Sequence, residues 1–221
     1  MPDYGNPSYW DERYAANDEP FDWYQDYSTL KDYLSKIISP SLSQEILIPG
    51  CGSSRLGPDL YDAGYTNITH IDTSMIVINQ MNDRYFDREE MEFTFMDATN
   101  MEHIPDDCFD IVLDKALLDT LLCSENNLQK VEDYLFEIYR VLKSTGIFII
   151  ISHGLPLSRL DYFDQDKWTI EPISIPKPPV RARLETTELS QDHYMYVCKK
   201  NLNKPVNNNN NNNSNNNNGN N

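Results

Sequence analysis

The chain has little of what marks the more easily read classes of protein. Its four cysteines, Cys51, Cys108, Cys123 and Cys198, form no Cys-x-x-Cys pair, and its four histidines, His70, His103, His153 and His193, show no ligand spacing. Neither a disulfide framework nor a metal site is indicated. Apolar runs stay short of the ~18 residues of a membrane span. The opening Met1-Pro2-Asp3-Tyr4-Gly5 is polar and acidic and resembles no signal or transit peptide. These absences point to a soluble protein of a reducing compartment, most simply the cytoplasm. Positive charge is scarce: 18 Lys and Arg stand against 35 Asp and Glu, a formal net charge of −17. A surface of that sign repels phosphate backbones and attracts basic proteins, so direct nucleic-acid binding is not expected. No internal repeat is visible. From Asn207 the chain is almost pure asparagine, without apolar side chains to offset the entropy of ordering. The expected organisation is an N-terminal aromatic cap and helix at 1–44, one domain at 45–200, and a disordered Asn-rich tail at 201–221.

What the chain does have is a series of short apolar runs, each stopped by glycine or an acid. Ile46-Leu47-Ile48-Pro49 meets Gly50-Cys51-Gly52, and Ile68-Thr69-His70-Ile71 stops at Asp72. Glu92 to Met96 stops at Asp97, and Phe109 to Leu113 at Asp114-Lys115. Helical patterns lie between. Leu30, Leu34, Ile37 and Ile38 share a face of a segment from Asp26 that Pro40 ends. Leu56 to Ala63 closes on Gly64, and Ser74 stands as cap before Met75, Ile78 and Met81. Val131, Leu135, Ile138 and Leu142 line one side of a helix over 128–142. The continuous run Gly146 to Ser152 reads as a strand covered on both faces.

After Gly154 the rhythm changes. A short helix is predicted over Pro156–Phe163, strands over Trp168–Pro172 and His193–Lys199, and a stiff loop from Pro176, Pro178 and Pro179. Two strands without a long helix between them predict an antiparallel addition. The fold class is therefore α/β: a Rossmann-like seven-stranded sheet, mostly parallel, with an antiparallel C-terminal edge and helices on both faces.

Open parallel sheets bind ligands at the carboxyl ends of their strands, which gathers Gly50, Gly52, Asp72, Asp97 and Asp114 around one pocket. A glycine loop followed by an acid after the second strand is a nucleotide signal, since that acid accepts from ribose hydroxyls. The dinucleotide fingerprint G-x-G-x-x-G needs glycine where Arg55 stands, and no Gly-Lys-Ser/Thr occurs. Acidic strand ends suit a pyrophosphate poorly. They suit S-adenosylmethionine, which carries ribose hydroxyls, an adenine amino group and a positive sulfonium. Gly50 and Gly52 let the backbone approach it, Asp72 accepts from the ribose, and Asp97 accepts from the adenine amino group.

Three segments carry a family resemblance: Tyr9-Trp10-Asp11-Glu12-Arg13-Tyr14, Phe21-Asp22-Trp23-Tyr24, and Phe109 to Asp119, with its Asp114-Lys115-Ala116-Leu117-Leu118-Asp119 element. With the glycine loop, the chain from roughly residue 4 to 153 resembles the seven-β-strand S-adenosylmethionine-dependent methyltransferases. More narrowly it is similar to protein-lysine methyltransferases acting on translation elongation factor 1-alpha. The resemblance implies that Trp10, Tyr14 and Trp23 fold over the cofactor. It pairs Thr73 with Asp72 at the ribose and Ala98 with Asp97 at the adenine, and it brings Lys115 to the fourth strand end. It also implies a basic protein substrate.

Two positions depart from the family. Pro49 removes an amide donor where an apolar residue is usual, and Ala116 replaces glycine, which hinders any positive φ there. A lysine acceptor must first lose a proton, at roughly 4–5 kcal/mol near pH 7. Asp114 or a tyrosine is the candidate for orienting the amine, with no general base assigned, and Asp119 reads as an ordinary helix residue. Alternatives are a small-molecule or RNA methyltransferase, disfavoured by the lack of an Asn/Asp-Pro-Pro-aromatic motif, and a non-catalytic cofactor-binding scaffold. A nicotinamide-dependent dehydrogenase is disfavoured by Arg55.

Overall fold

Alternation along each strand decides the architecture. In β1 (Ile46–Pro49) Ile46 and Ile48 join one buried cluster while Leu47 joins another. Ile111 and Leu113 part from Val112 in β4 (Phe109–Lys115) in the same way, as Ile149 and Ile151 part from Phe148 and Ile150 in β5 (Leu142–Ser152). Both faces are apolar, so both must be covered by helices.

The computed structural model describes residues 2–41, 43–178 and 192–202. With β2 (Ile68–Asp72), β3 (Met91–Phe95), β6 (Trp168–Pro176) and β7 (Asp192–Lys200) the strands form one sheet in the order β3-β2-β1-β4-β5-β7-β6. The first five run parallel, and β7 pairs antiparallel with both β5 and β6. That is the seven-stranded sheet with an antiparallel edge that the sequence predicts.

On one face α2 (Tyr27–Leu34), α3 (Leu56–Asp62) and α4 (Met75–Arg84) bury Leu30, Leu34, Leu56, Leu60, Val77 and Met81. On the other, α6 (Asn127–Val141) buries Val131, Tyr134, Leu135, Ile138 and Val141. Truncating Ile138, fully buried, to alanine is expected to cost about 2–5 kcal/mol. Among the described residues no helix is long and apolar enough to cross a membrane.

Several local readings need correction. The helix expected to reach Ile38 stops at Leu34, where Lys36 N and Ile37 N bond only three residues back, to Tyr33 O and Leu34 O at 3.2 and 2.9 Å, and tighten the last turn. Ser74 stands at the N-cap of α4 without a side-chain cap bond; its hydroxyl donates instead to Asp11. Pro176 ends β6 rather than starting a loop, as an edge strand allows. Pro179 and the Asn-rich tail from 203 lie outside the described residues. The short helix α5 (Leu117–Leu121) holds Asp119, as expected, while the start of β5 directly after α6 departs from the sequence reading.

The missing third glycine of the loop has a substitute. A Cβ on Gly57 in α3 would lie 1.8 Å from Nε2 of His70 on β2, so glycine here permits close helix–strand packing two residues later than the dinucleotide pattern places it. His70 is buried there, and burial lowers its pKa to about 4.

Candidate active site

Strand order reverses between β1 and β4, and a cleft of about 1050 Å³, counting its open mouth, lies at the carboxyl ends of the strands there. It is lined by Trp10, Tyr14, Trp23, Gly50, Gly52, Asp72, Thr73, Asp97, Ala98 and Lys115, every residue the sequence reading assigned to a cofactor.

The glycine loop needs both glycines. Gly50 and Gly52 have φ of +60° and +50°. A Cβ on Gly50 would lie 2.9 Å from Leu117 Cδ1, and one on Gly52 would lie 2.6 Å from the Tyr14 hydroxyl. Asp72 ties this loop to the second strand. Its Oδ2 accepts from Gly52 N and its Oδ1 from Ser74 N, each at 2.9 Å. Burial pushes the Asp72 carboxyl up, and those backbone donors pull it back. Asp97 accepts from Thr99 N and Oγ1, both at 2.8 Å, and so also shapes its own turn. A carboxylate offers about four acceptor sites, so both acids retain capacity for a ligand.

The N-terminal segment forms the cleft's outer wall. Asn6 caps α1 (Pro7–Ala16) by accepting from Ser8 N. Asp11 accepts from Ser74 Oγ at 2.5 Å, and Tyr14 O accepts from Gln80 Nε2 at 2.9 Å, which fastens α1 to α4. The Trp10 ring stacks on Tyr14 and meets Trp23 edge-on at 6.3 Å. Arg13, also in the lining, sits 4.8 Å over Phe21 and 5.8 Å over Trp23.

Residues 19–23 then cross the glycine loop as a strap. Phe21 N donates to Ser53 O at 3.3 Å, and Asp22 accepts from Ser54 Oγ at 2.5 Å. Lys115 Nζ donates to Asp22 Oδ1 at 2.8 Å and to Trp23 O at 3.3 Å. Burial lowers the Lys115 pKa while Asp22 raises it. Lys115 is thus the anchor of the strap, with its charge already answered.

Both family departures have a place in this geometry. Ile46 N donates toward β2, so alternation turns position 49 toward β4, and the β1–β4 register ends at Leu47. Pro49 stands where the two strands have parted, so its missing N–H leaves no ladder bond unmade. Ala116 has φ +80°, the left-handed conformation that favours glycine, at a cost of about 1–2 kcal/mol.

Asp114 does not reach the cleft. It is fully buried and accepts from Leu117 N at 2.8 Å, Leu118 N at 3.0 Å and Tyr134 Oη at 2.9 Å, so it caps α5. Burial raises its pKa to about 7. It cannot orient an acceptor in the cleft. Asp119, in contrast, is a hub. Its Oδ1 accepts from Ser152 Oγ at 2.6 Å and Arg159 Nη2 at 2.8 Å, and its Oδ2 from His153 Nδ1 at 2.9 Å. Burial works to raise it, but the His153 bond and the Arg159 charge outweigh that and hold the carboxyl well below the usual range. Arg13, Asp22, Asp119 and His153 have no role in the sequence reading; Arg13 and Asp22 stand in the segments that carry the resemblance and Asp119 closes the Asp-Lys-x-x-x-Asp element, while His153 left no signal.

Residues 47–150 match the family model described as Methyltransferase domain. The eEF1A lysine and N-terminal methyltransferase of Bos taurus is 38% identical over 176 residues, 76% of this chain and 25% of that protein. The EEF1A lysine methyltransferase 4 of Mus musculus is 30% identical over 175 residues, 75% of this chain and 68% of that protein. Among solved structures, a TehB-like SAM-dependent methyltransferase from Corynebacterium glutamicum aligns with a TM-score of 0.57 at 19% identity, over 89% of this chain and 100% of that one, a likeness of fold alone. The chain spans about a quarter of the length of the Bos taurus relative.

Proposed function

The chain belongs to the methyltransferase-domain family, beside its eEF1A lysine methyltransferase members, and from that premise we propose that it is an S-adenosylmethionine-dependent protein-lysine N-methyltransferase acting on elongation factor 1-alpha in the cytoplasm. The observation that carries the reading is the convergence of the glycine loop, two strand-end acids and an aromatic strap on one cleft. Bound S-adenosylmethionine supplies a methyl group activated by a positive sulfonium.

The residues fit that ligand. Gly50 and Gly52 hold the loop open for close backbone approach. Asp72 with Thr73 would receive the ribose, and Asp97 with Ala98 the adenine. Arg13 would answer the methionine carboxylate. Trp10, Tyr14 and Trp23 present aromatic faces to a cation, each contact contributing about 0.5–2 kcal/mol. Residues 1–44 act as the cap on a domain of 45–200.

In-line transfer depends on alignment, so a rigid cleft wall contributes through positioning. The strap held by Asp22 and Lys115 also excludes water, which weakens the charged form of an entering lysine. The chain's acidity favours a basic protein partner.

Labelled S-adenosylmethionine with a cell protein extract tests the reading, with Asp72→Ala as control. Label in a band of the size of elongation factor 1-alpha, absent from the control, supports it. Label confined to RNA or small molecules sinks it, and tight cofactor binding without transfer favours a scaffold.

A further inference from the structure

A lysine acceptor needs somewhere to leave its proton, and the acids nearest the glycine loop are poorly placed for that. Asp72 accepts from two backbone amides, Lys115 is paired with Asp22, and Asp114 is buried under α5. One strand over, the carboxyl end of β5 carries a different arrangement. His153 Nδ1 lies 2.9 Å from Asp119 Oδ2 and 2.8 Å from the Tyr24 hydroxyl. An ionised carboxylate only accepts, so Nδ1 carries the proton and shares it between Asp119 Oδ2 and the Tyr24 hydroxyl oxygen. That tautomer leaves Nε2 as the ring's acceptor. The His153 side chain is 55% exposed, and among the described residues its ring hydrogen bonds are all at Nδ1.

This histidine does not itself line the cleft but adjoins it through residues that do. Tyr24 follows Trp23, which lines the cleft and whose carbonyl accepts from Lys115. Lys115 pairs in register with Ile151, two residues before His153, and Ala116 N donates to Ile151 O at 3.1 Å. Tyr24 holds a left-handed backbone, φ +65°, which turns its ring back onto His153 and His193.

We propose that His153 is the proton acceptor for the substrate lysine, that Asp119 is its positioning residue, and that the lysine enters between the Trp23–Tyr24 turn and the end of β5. The proposal rests on the reading of the chain as a protein-lysine methyltransferase. The ε-ammonium gives one proton to Nε2, leaving a neutral amine and an imidazolium balanced by Asp119. The amine lone pair forms the new N–C bond as the C–S bond breaks and its electron pair stays on sulfur. The product leaves as a methylated ammonium, and the imidazolium returns its proton to water. The charged and titratable groups around His153 are Tyr24 from the turn that follows the strap, Asp119 from α5, Arg159 from α7 (Pro156–Arg159), and His193 from β7 across the Tyr24 ring.

The test compares the full chain with its His153→Gln variant on elongation factor 1-alpha. The expected result is a fall in kcat of about 100-fold or more, with loss of the rising limb of the pH–kcat profile. The calorimetric Kd for S-adenosylmethionine and the melting temperature stay unchanged. Independently, ¹⁵N spectra of the neutral His153 ring in the wild type should show it protonated at Nδ1, and Asp119→Asn should shift that tautomer population. Wild-type kcat within threefold in His153→Gln, an unchanged pH limb, or an Nε2-protonated ring overturns the proposal. Activity in both proteins overturns it alone. A wild type that binds cofactor yet methylates no protein lysine overturns the functional reading as well.

Discussion

The two sides of the cleft are built by different means. On the cofactor side, the loop Gly50–Gly52 and the acids Asp72 and Asp97 each sit where their own strand stops, and their bonds are largely to nearby backbone. On the acceptor side, Lys115 meets Asp22 across 93 residues of sequence, and His153 meets Asp119 across 34. Local turns make one side; a long-range ion pair, a long-range hydrogen bond and a strained alanine make the other. The cofactor side should therefore respond to mutation mainly in affinity, and the acceptor side mainly in stability and turnover.

The largest effect is expected at Asp22. Asp22→Ala leaves the buried Lys115 ammonium without its partner and should destabilise the fold by about 3–5 kcal/mol, read by urea denaturation, with hydrogen exchange fastest over residues 19–24. A loss under 1 kcal/mol would erase the contrast between the two sides.

Next comes pH, with opposite signs on the two sides. The His70 pKa is lowered to about 4, so its neutral burial stabilises fully above about 6.5 and is lost as pH falls toward 4, about 3 kcal/mol in all. The Asp114 pKa is raised to about 7, so its contribution is full below its unfolded value and fades as pH rises through 7. Denaturation at several pH values should therefore give a shallower acid loss in His70→Gln and a smaller loss toward neutrality in Asp114→Asn.

Asp72→Ala removes one acceptor from two backbone donors and, on the proposed reading, from the ribose. Affinity for S-adenosylmethionine should fall about 100-fold by calorimetry, close to 2.7 kcal/mol. The smallest effect is at Ala116. Ala116→Gly relieves a left-handed backbone and should stabilise by about 1 kcal/mol, checked by the denaturation midpoint.

The same division governs what could be read in advance. Strand ends at Asp72 and Asp114-Lys115, the turn at Gly64 and the antiparallel edge were legible because each is written in a few adjacent residues. The stop of α2 at Leu34 was not, since Ile37 and Ile38 keep the helical spacing while the amides of Lys36 and Ile37 shift to carbonyls three residues back. The burial of Asp114 was not either, because a carboxylate at a strand end looks the same whether it faces a cleft or caps the next helix.

The Gly50-Cys51-Gly52 loop, the acids that follow it and the apolar alternation by themselves determined a doubly covered sheet with a nucleotide-type cleft. Period and punctuation are local properties, fixed by backbone sterics and by which face meets water. Only the tertiary structure decided that Lys115 anchors the strap, that Asp114 turns inward, and that Asp119 orients His153. Those roles depend on strand order and helix packing, which bring together side chains that nothing in the linear chain sets beside each other.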